Sequence, residues 1–362
     1  MKIKIISLLL LLCLLFSLAS CEATYEPIAS TEEELATVMT IRYEGEEYAV
    51  PYELYRAFFL QLKSDVDGGN AAVWSGAEKD KYVEKIDGMI LERIADVYAT
   101  FHIAKRIGID LYSEENEGIL DDYIRAGVEG GTVDGMDFEG FEGDYDAYLA
   151  SLREMNLNYS AQRTLLRYAL ASVLIDHYYI GSTDTPGELK YTEDDVREFY
   201  FGNDSARVIE GYFPEGTTNK TYDELVTLRE RVANASTETE AALIIINAVT
   251  TVGDEILRGS IIGSHSRDSI YYSELTEAAL SLSVGEASNL IRVSTGFEDG
   301  YYIIYKAEKS ESNFEENKDY ITGIYLEHRI GALVSKAKDD IINSIEKTEM
   351  LKGIDHSKIS MP

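Results

Sequence analysis

From Val38 to Tyr43 apolar and polar residues alternate, Glu44-Gly45 turns the chain, and Tyr48-Ala49-Val50 resumes a short strand, which predicts a small hairpin. Pro51 is placed to start a helix on which Leu54, Tyr55, Phe58, Phe59 and Leu62 recur at helical spacing. A longer helix is predicted from about Lys79 to Ile107, with Val83, Ile86, Ile90, Ile94, Val97, Phe101 and Ala104 on one stripe and Gly108 as its stop. Ser113 caps another, ending near Gly127. Residues 127–146 mix acids and glycines with Met136, Phe138 and Phe141, so no regular structure is expected there. Helices return over 145–155 and 159–180, the second with Leu165, Leu166, Ala169, Leu170, Val173 and Leu174 as its buried face. Tyr191 to Asp195 caps one more, through Tyr200.

At Ala206 the rhythm shifts to strand, over Ala206 to Phe213. Residues 221–234 read as a helix with Leu225 and Leu228 inward, and Glu238 to Asn247 as a helix or a turn-bounded apolar run. A turn-rich stretch, a short helix at 273–281 and strands at 289–294 and 300–307 follow. A final helix from Phe314 to about Ile345 carries Tyr320, Ile324, Leu326, Ile330, Leu333 and Val334, too apolar a stripe for water, and is expected to fold back onto the N-terminal helices. The fold class predicted is α+β, a mainly helical module interrupted by a smaller α+β domain.

The first 21 residues change where this fold is placed. Lys2 and Lys4, a largely apolar run from Ile5 to Phe16, and Leu18-Ala19-Ser20-Cys21 have the layout of a bacterial lipoprotein signal, with Cys21 as the acylated first residue of the mature chain. The alternative is an ordinary secretory signal or an uncleaved anchor, but the run is short of the ~20 residues that span a bilayer. Without residues 1–20 the chain keeps 31 basic against 65 acidic residues, a formal balance of -34. Such a chain is no general nucleic-acid binder, because the phosphate backbone repels it. Cys13 lies in the leader, so the mature chain has one sulfur of cysteine, expected as a thioether, and no disulfide or Cys-ligated metal site.

Candidate chemistry is sparse. His102, His177, His265, His328 and His356 lie far apart and none has a second ligand at metal spacing. His102 reads as a packed, hydrogen-bonded side chain and Ser264-His265-Ser266 as a loop. Asp134, Asp137, Glu139, Glu142, Asp144 and Asp146 could wrap a calcium ion or form a solvated loop; neither they nor Asp65 to Asn70 match an EF-hand spacing. No cofactor or metal is expected.

Four segments, in order, resemble the extracytoplasmic foldases of the PrsA and SurA type with a parvulin-like (PpiC-type) domain. Val38 to Tyr48 resembles the family's opening valine, asparagine-glycine-glutamate signature, and Ala104 to Ile109 followed by Ser113-Glu114-Glu115 resembles its helix junction. Leu282-Ser283-Val284-Gly285-Glu286-Ala287-Ser288 is similar to the glycine-glutamate segment of parvulins, and Gly300-Tyr301-Tyr302-Ile303-Ile304 to their last strand. The resemblance implies a helical chaperone domain over 38–203, a prolyl-isomerase-like domain over 204–309, and a C-terminal helix, 310–350, packed on the first; 1–21 is the signal and 22–37 a flexible tether.

The departures fall on the family's polar cluster. In Arg207-Val208-Ile209-Glu210-Gly211-Tyr212-Phe213 the first histidine position holds Glu210, and Tyr302 stands at the second. The family's cysteine or aspartate has no clear counterpart, with Thr250, Thr251 and Asp254 the polar residues nearby. Prolyl isomerisation needs no nucleophile; its barrier of ~20 kcal/mol falls when an apolar groove holds the twisted amide within suitable hydrogen bonds. Two readings of Glu210 and Tyr302 stay open: hydrogen-bonding groups of a working site, or a solvated strand residue and a core aromatic. The resemblance implies a lipid-anchored foldase on the outer face of the cytoplasmic membrane that binds unfolded or extended exported polypeptides, with weak or lost isomerase activity; a homodimer stays open. The other class is a non-enzymatic ligand-binding or adhesive lipoprotein.

Overall fold

The computed structural model describes residues 25–182, 185–215, 220–248, 251–252, 255–256, 263–266, 273–294 and 299–361. Cys21, Thr250 and Asp254 lie outside these residues, as do the side chains of Thr251 and His265. The protein is α+β. Among the described residues no helix is long and apolar enough to cross a membrane. The chain divides into two compact units, one holding the residues up to 187 and those from 334 on, the other residues 188–333.

In the first unit the hairpin pairs Thr37–Tyr43 with Glu46–Pro51 around Glu44 and Gly45, whose φ of 47° and 85° are the left-handed pair that a two-residue turn requires. Ile345–Lys347 adds a third antiparallel strand, with Met39 opposite Lys347 and Ile41 opposite Ile345. The C-terminal segment is thereby hydrogen-bonded to the N-terminal hairpin. Pro51 ends the strand, and the helix Tyr52–Asp67 buries Leu54, Tyr55, Phe58, Phe59 and Leu62 before closing on Gly68 in the left-handed region. In the long helix Lys79–Arg106, Ile86, Ile90, Ile94, Val97 and Ala104 are buried as the stripe predicts. His102 is buried between the Tyr48 hydroxyl and Glu44 Oε2, each 3.0 Å away.

In this unit three expectations need correction. Residues 25–36 are not a free tether. Thr31 and Glu34 form a capping box on the short helix Glu32–Leu35, and Glu34 is buried against Arg56 Nη2 at 2.7 Å. Residues 127–146 are not structureless either: Gly131–Val133 pairs with Met136–Phe138. Asp134 accepts from the Tyr123 hydroxyl, Asp137 from Thr132, and Asp144 caps Ala147. Among the described residues no group of three or more His, Cys, Asp or Glu is placed to hold a metal ion. The helix Tyr159–Ile180 buries Ala161, Arg167, Ala171 and Ile175, whereas Val173 is 63 % exposed and Ala169 is exposed. The face turns because the guanidinium of Arg167 is buried on Glu117, 2.5 Å away, which also takes Arg163.

A polar chain ties the C-terminus into this core. Tyr55 donates its hydroxyl hydrogen to Asp87 Oδ1 at 2.7 Å and lies 3.0 Å from His356 Nε2, while Lys347 Nζ reaches Asp87 Oδ2 at 2.6 Å. His356 is buried, and its Nδ1 has no hydrogen-bond partner. Burial pushes the imidazole below its ordinary pKa; Asp87 and Asp355 oppose the shift, and Lys79 and Lys347 support it. A base whose folded pKa is depressed contributes fully above its unfolded value of ~6.5, and that contribution is lost as pH falls below it. The urea midpoint of the first unit is therefore expected to drop between pH 7.5 and 5.5, and His356→Gln to flatten that part of the profile. An unchanged slope in the variant would remove His356 as the cause.

In the second unit four antiparallel strands lie in the order Gly263–Ser266, Ser205–Pro214, Asp299–Lys306, Ile291–Ser294. One face packs Ile209, Phe213, Ile303 and Tyr305 against Leu225, Leu228 and Val232 of the helix Tyr222–Ala233 and Ala241 and Ile245 of Glu238–Ile246. The other packs Ala206, Val208, Val293 and Ile304 against Leu275 and Ala279 of the helix Ser273–Ser281. Residues 188–203 and 310–333, expected in the helical module, belong to this unit. The helix Glu193–Phe201 is the reason: Tyr200 packs on the fully buried Phe314, and Arg197 pairs with Glu311 and Glu315. The final helix is also interrupted, as Glu311–Glu316 and then Lys318–Ile342, and Tyr320 is exposed while Ile321, Tyr325 and Ile330 are buried.

Candidate functional site

The strand Ser205–Pro214 fixes the geometry of the candidate site by its period of two. Buried Arg207 anchors its start, forking onto both oxygens of Glu238 at 2.6 and 2.8 Å and onto the Glu308 carbonyl at 2.8 Å. From that anchor Val208, Glu210 and Tyr212 share one face and Arg207, Ile209, Gly211 and Phe213 the other. On the neighbouring strand Tyr302 lies opposite Tyr212 and Ile304 opposite Glu210. Partners in register share a face, so Glu210 and Tyr302 are diagonal neighbours on one side of the sheet. Both are half-buried.

Tyr212 completes this face, although no motif position marks it. Its ring stacks on that of Tyr302 with centroids 4.7 Å apart and planes at 28°. The room for it comes from Gly300: a Cβ there would lie 2.3 Å from Tyr212 Cε2. The sequence signal was the alternation itself, because residue 212 follows 210 at a spacing of two and faces the tyrosine-rich strand in any antiparallel register. Tyr302 also packs against the core cluster of Val208, Leu275, Ala279 and Ile304.

The segment Leu282 to Ser288 lies along the same strand. Gly285, with φ of 88°, turns it; Gly285 N–H donates to the Lys306 carbonyl, Lys306 N–H to the Glu286 carbonyl, and Ser288 N–H to the Ile304 carbonyl at 2.7 Å. Two of the motifs separated in sequence are therefore one backbone-paired structure. Ser264-His265-Ser266 is a strand and not the expected loop, and its register places His265 opposite Ala206.

Lys306 ends the strand Asp299–Lys306, and Lys309 follows it. Burial pushes Lys306 below its ordinary pKa, and its Nζ donates to the Leu280 carbonyl. Burial, then the charge of Lys306, brings Lys309 down to about 8. Its Nζ donates to the Gly202 and Ser205 carbonyls and to Ser205 Oγ at 2.7–3.0 Å, so it closes the end of the helix Glu193–Phe201. The face can therefore offer an aromatic pair, the Glu210 carboxylate and an apolar floor, with the Tyr212 hydroxyl buried. Those groups can hold extended chain by packing and hydrogen bonding; the described residues bring no nucleophile and general base together on it.

No family model matches the chain, and no curated protein matches it. Among solved structures it is similar to the foldase protein PrsA of Streptococcus pneumoniae, at 13 % identity over 85 % of this chain and 93 % of that one, with a TM-score of 0.25. PrsA of Bacillus subtilis is 15 % identical over 73 % and 87 %, with a TM-score of 0.25. The foldase protein PrsA of Lactococcus lactis is 14 % identical over 90 % and 100 %, with a TM-score of 0.24. A likeness at such TM-scores carries no functional argument.

Proposed function

We propose that the protein is an extracytoplasmic chaperone of exported polypeptides, held on the outer face of the cytoplasmic membrane by a diacylated Cys21, with little or no prolyl isomerase turnover. The observation that carries the chaperone reading is the stacked Tyr212–Tyr302 pair beside Glu210 on a half-buried sheet face. Tyrosine rings give proline and other apolar residues of an extended chain a surface to pack on. The four motifs and the lipoprotein leader point the same way. A solute receptor built from βαβ units would need parallel strands, and every strand pair among the described residues is antiparallel.

Weak turnover follows from the donors and acceptors. A neutral imidazole both donates and accepts, whereas an ionised glutamate only accepts, so Glu210 and Tyr302 cannot reproduce a histidine pair. The test is a proline-peptide isomerisation assay beside an aggregation-suppression assay, both on the chain without residues 1–21. Suppression of aggregation is expected with turnover far below that of a histidine-bearing relative, and Tyr302→Phe is expected to change neither. Robust turnover that collapses in Tyr302→Phe or Glu210→Gln would make this an isomerase with unusual residues, and failure to suppress aggregation would remove the chaperone reading.

A further inference from the structure

The segment expected as a tether is fastened to the first unit from Tyr25 onward. Tyr25 donates its hydroxyl hydrogen to Glu129 Oε1 at 2.9 Å, and its ring lies 5.1 Å from that of Tyr145. The Tyr145 hydroxyl donates to the Glu26 carbonyl at 3.1 Å, Ser30 Oγ to Glu53 Oε2 at 2.6 Å, and the buried Glu34–Arg56 pair follows. Only residues 22–24 separate the first fastened residue from Cys21. Four peptide steps reach at most about 14 Å when fully extended.

We infer that the acyl anchor is coupled to the folded body without slack, so that the surface around Tyr25, Tyr145 and Phe141 faces the phospholipid headgroup layer. The inference rests on the anchoring reading above. A doubly acylated cysteine sits at the boundary of the hydrocarbon core, and the headgroup region outside it is about 5–8 Å deep, so a 14 Å reach leaves Tyr25 at or just beyond the headgroups. Tyr25 packs on Tyr145, and Tyr145 and Phe141 both rest on the buried ring of Tyr148, at 6.1 and 6.2 Å, so the outer rings are backed by the core. Amphipathic tyrosine rings suit that depth. The acids around these rings, Glu129, Glu139, Glu142 and Asp146, oppose approach to an anionic leaflet, so contact is closest on zwitterionic lipid and on anionic lipid tightens with salt.

The test uses the full acylated chain on phosphatidylcholine vesicles that carry a headgroup-attached quencher, with a fluorophore on Asp146→Cys, an exposed position beside Tyr145. A second chain has a Gly/Ser insert of about twenty residues between Ala23 and Thr24, long enough to let the body move some 25 Å off the surface. Both are expected to float with the vesicles, and the native spacing to be quenched several-fold more than the insert. If both float and are quenched alike, the anchor stands and this inference falls. If the native chain does not float, or Cys21→Ser floats equally, the anchoring reading falls and takes the inference with it.

Discussion

Arg56→Leu is expected to destabilise the first unit by about 3–5 kcal/mol, the usual cost of removing one partner from a buried ion pair. Arg56 is 5 % exposed and its partner Glu34 8 %. Glu53, one helical turn before Arg56, is also buried and accepts from Ser30, Asn158 and Ser160 at 2.6–2.9 Å. Without the guanidinium, two buried carboxylates remain and Glu34 loses its only ion-pair partner among the described residues. Glu34→Gln in the same chain is expected to recover part of the loss, because it removes the stranded charge and keeps the side chain's shape. Trp74, the one tryptophan of the sequence, is buried in this unit with its indole N–H on Asp67 at 2.6 Å, so its fluorescence in a urea titration reads this unit. A variant that melts within 1 kcal/mol of native, on the order of a surface pair's worth, would show that the pair is not a structural lock.

The same pair sets an acid limit. Burial alone would push the Glu34 carboxyl up, but the Thr31 backbone N–H, the Arg56 guanidinium and the Thr31 hydroxyl outweigh it and hold the group at about 2. An acid with a depressed folded pKa contributes fully above its unfolded value, ~4.3, and the contribution is lost as pH falls from there toward 2. That window lies below the one in which His356 acts, so the two groups separate in a pH series.

The sequence discloses what repeats within one window. Ile86, Ile90 and Ile94 announce their helix because burial on one side recurs every three to four residues, and Tyr301 to Tyr305 announces a strand because the apolar residues run together. It hides what depends on a distant partner. Glu32-Glu33-Glu34 reads as solvated, yet Glu34 is buried through Arg56 and through Asn158, 124 residues away. Arg167 turns the helix Tyr159–Ile180 against its own apolar pattern because Glu117, on another helix, neutralises it. The strands Gly131–Val133 and Met136–Phe138 are too short for alternation to register. At the candidate site, the resemblance pointed to positions 210 and 302, but the stacking of Tyr212 and the space that Gly300 leaves for it require the register between strands almost ninety residues apart.

Gly300 carries the second large effect. Replacing a strand glycine by alanine where there is room stabilises a protein by about 0.4–1 kcal/mol, through the entropy of the unfolded chain. Here there is no room. The added Cβ would lie 2.3 Å from Tyr212 Cε2 and 2.8 Å from its hydroxyl oxygen, so the ring must leave its place, and the stack on Tyr302 at 4.7 Å goes with it. Overpacking of this kind costs about 1–3 kcal/mol, and a lost aromatic pair about 0.5–1.5 more, so destabilisation wins over the entropy gain. Gly300→Ala is therefore expected to speed hydrogen exchange in Ser205–Pro214 and Asp299–Lys306 while Trp74 still reports an unchanged first unit. It is also expected to weaken aggregation suppression well beyond Tyr302→Phe, which keeps both rings in place. Tyr212→Ala gives the control without a clash: it removes the ring and leaves Gly300 alone. If Gly300→Ala and Tyr212→Ala both suppress aggregation as well as the native chain, extended polypeptide is held somewhere other than this face of the sheet.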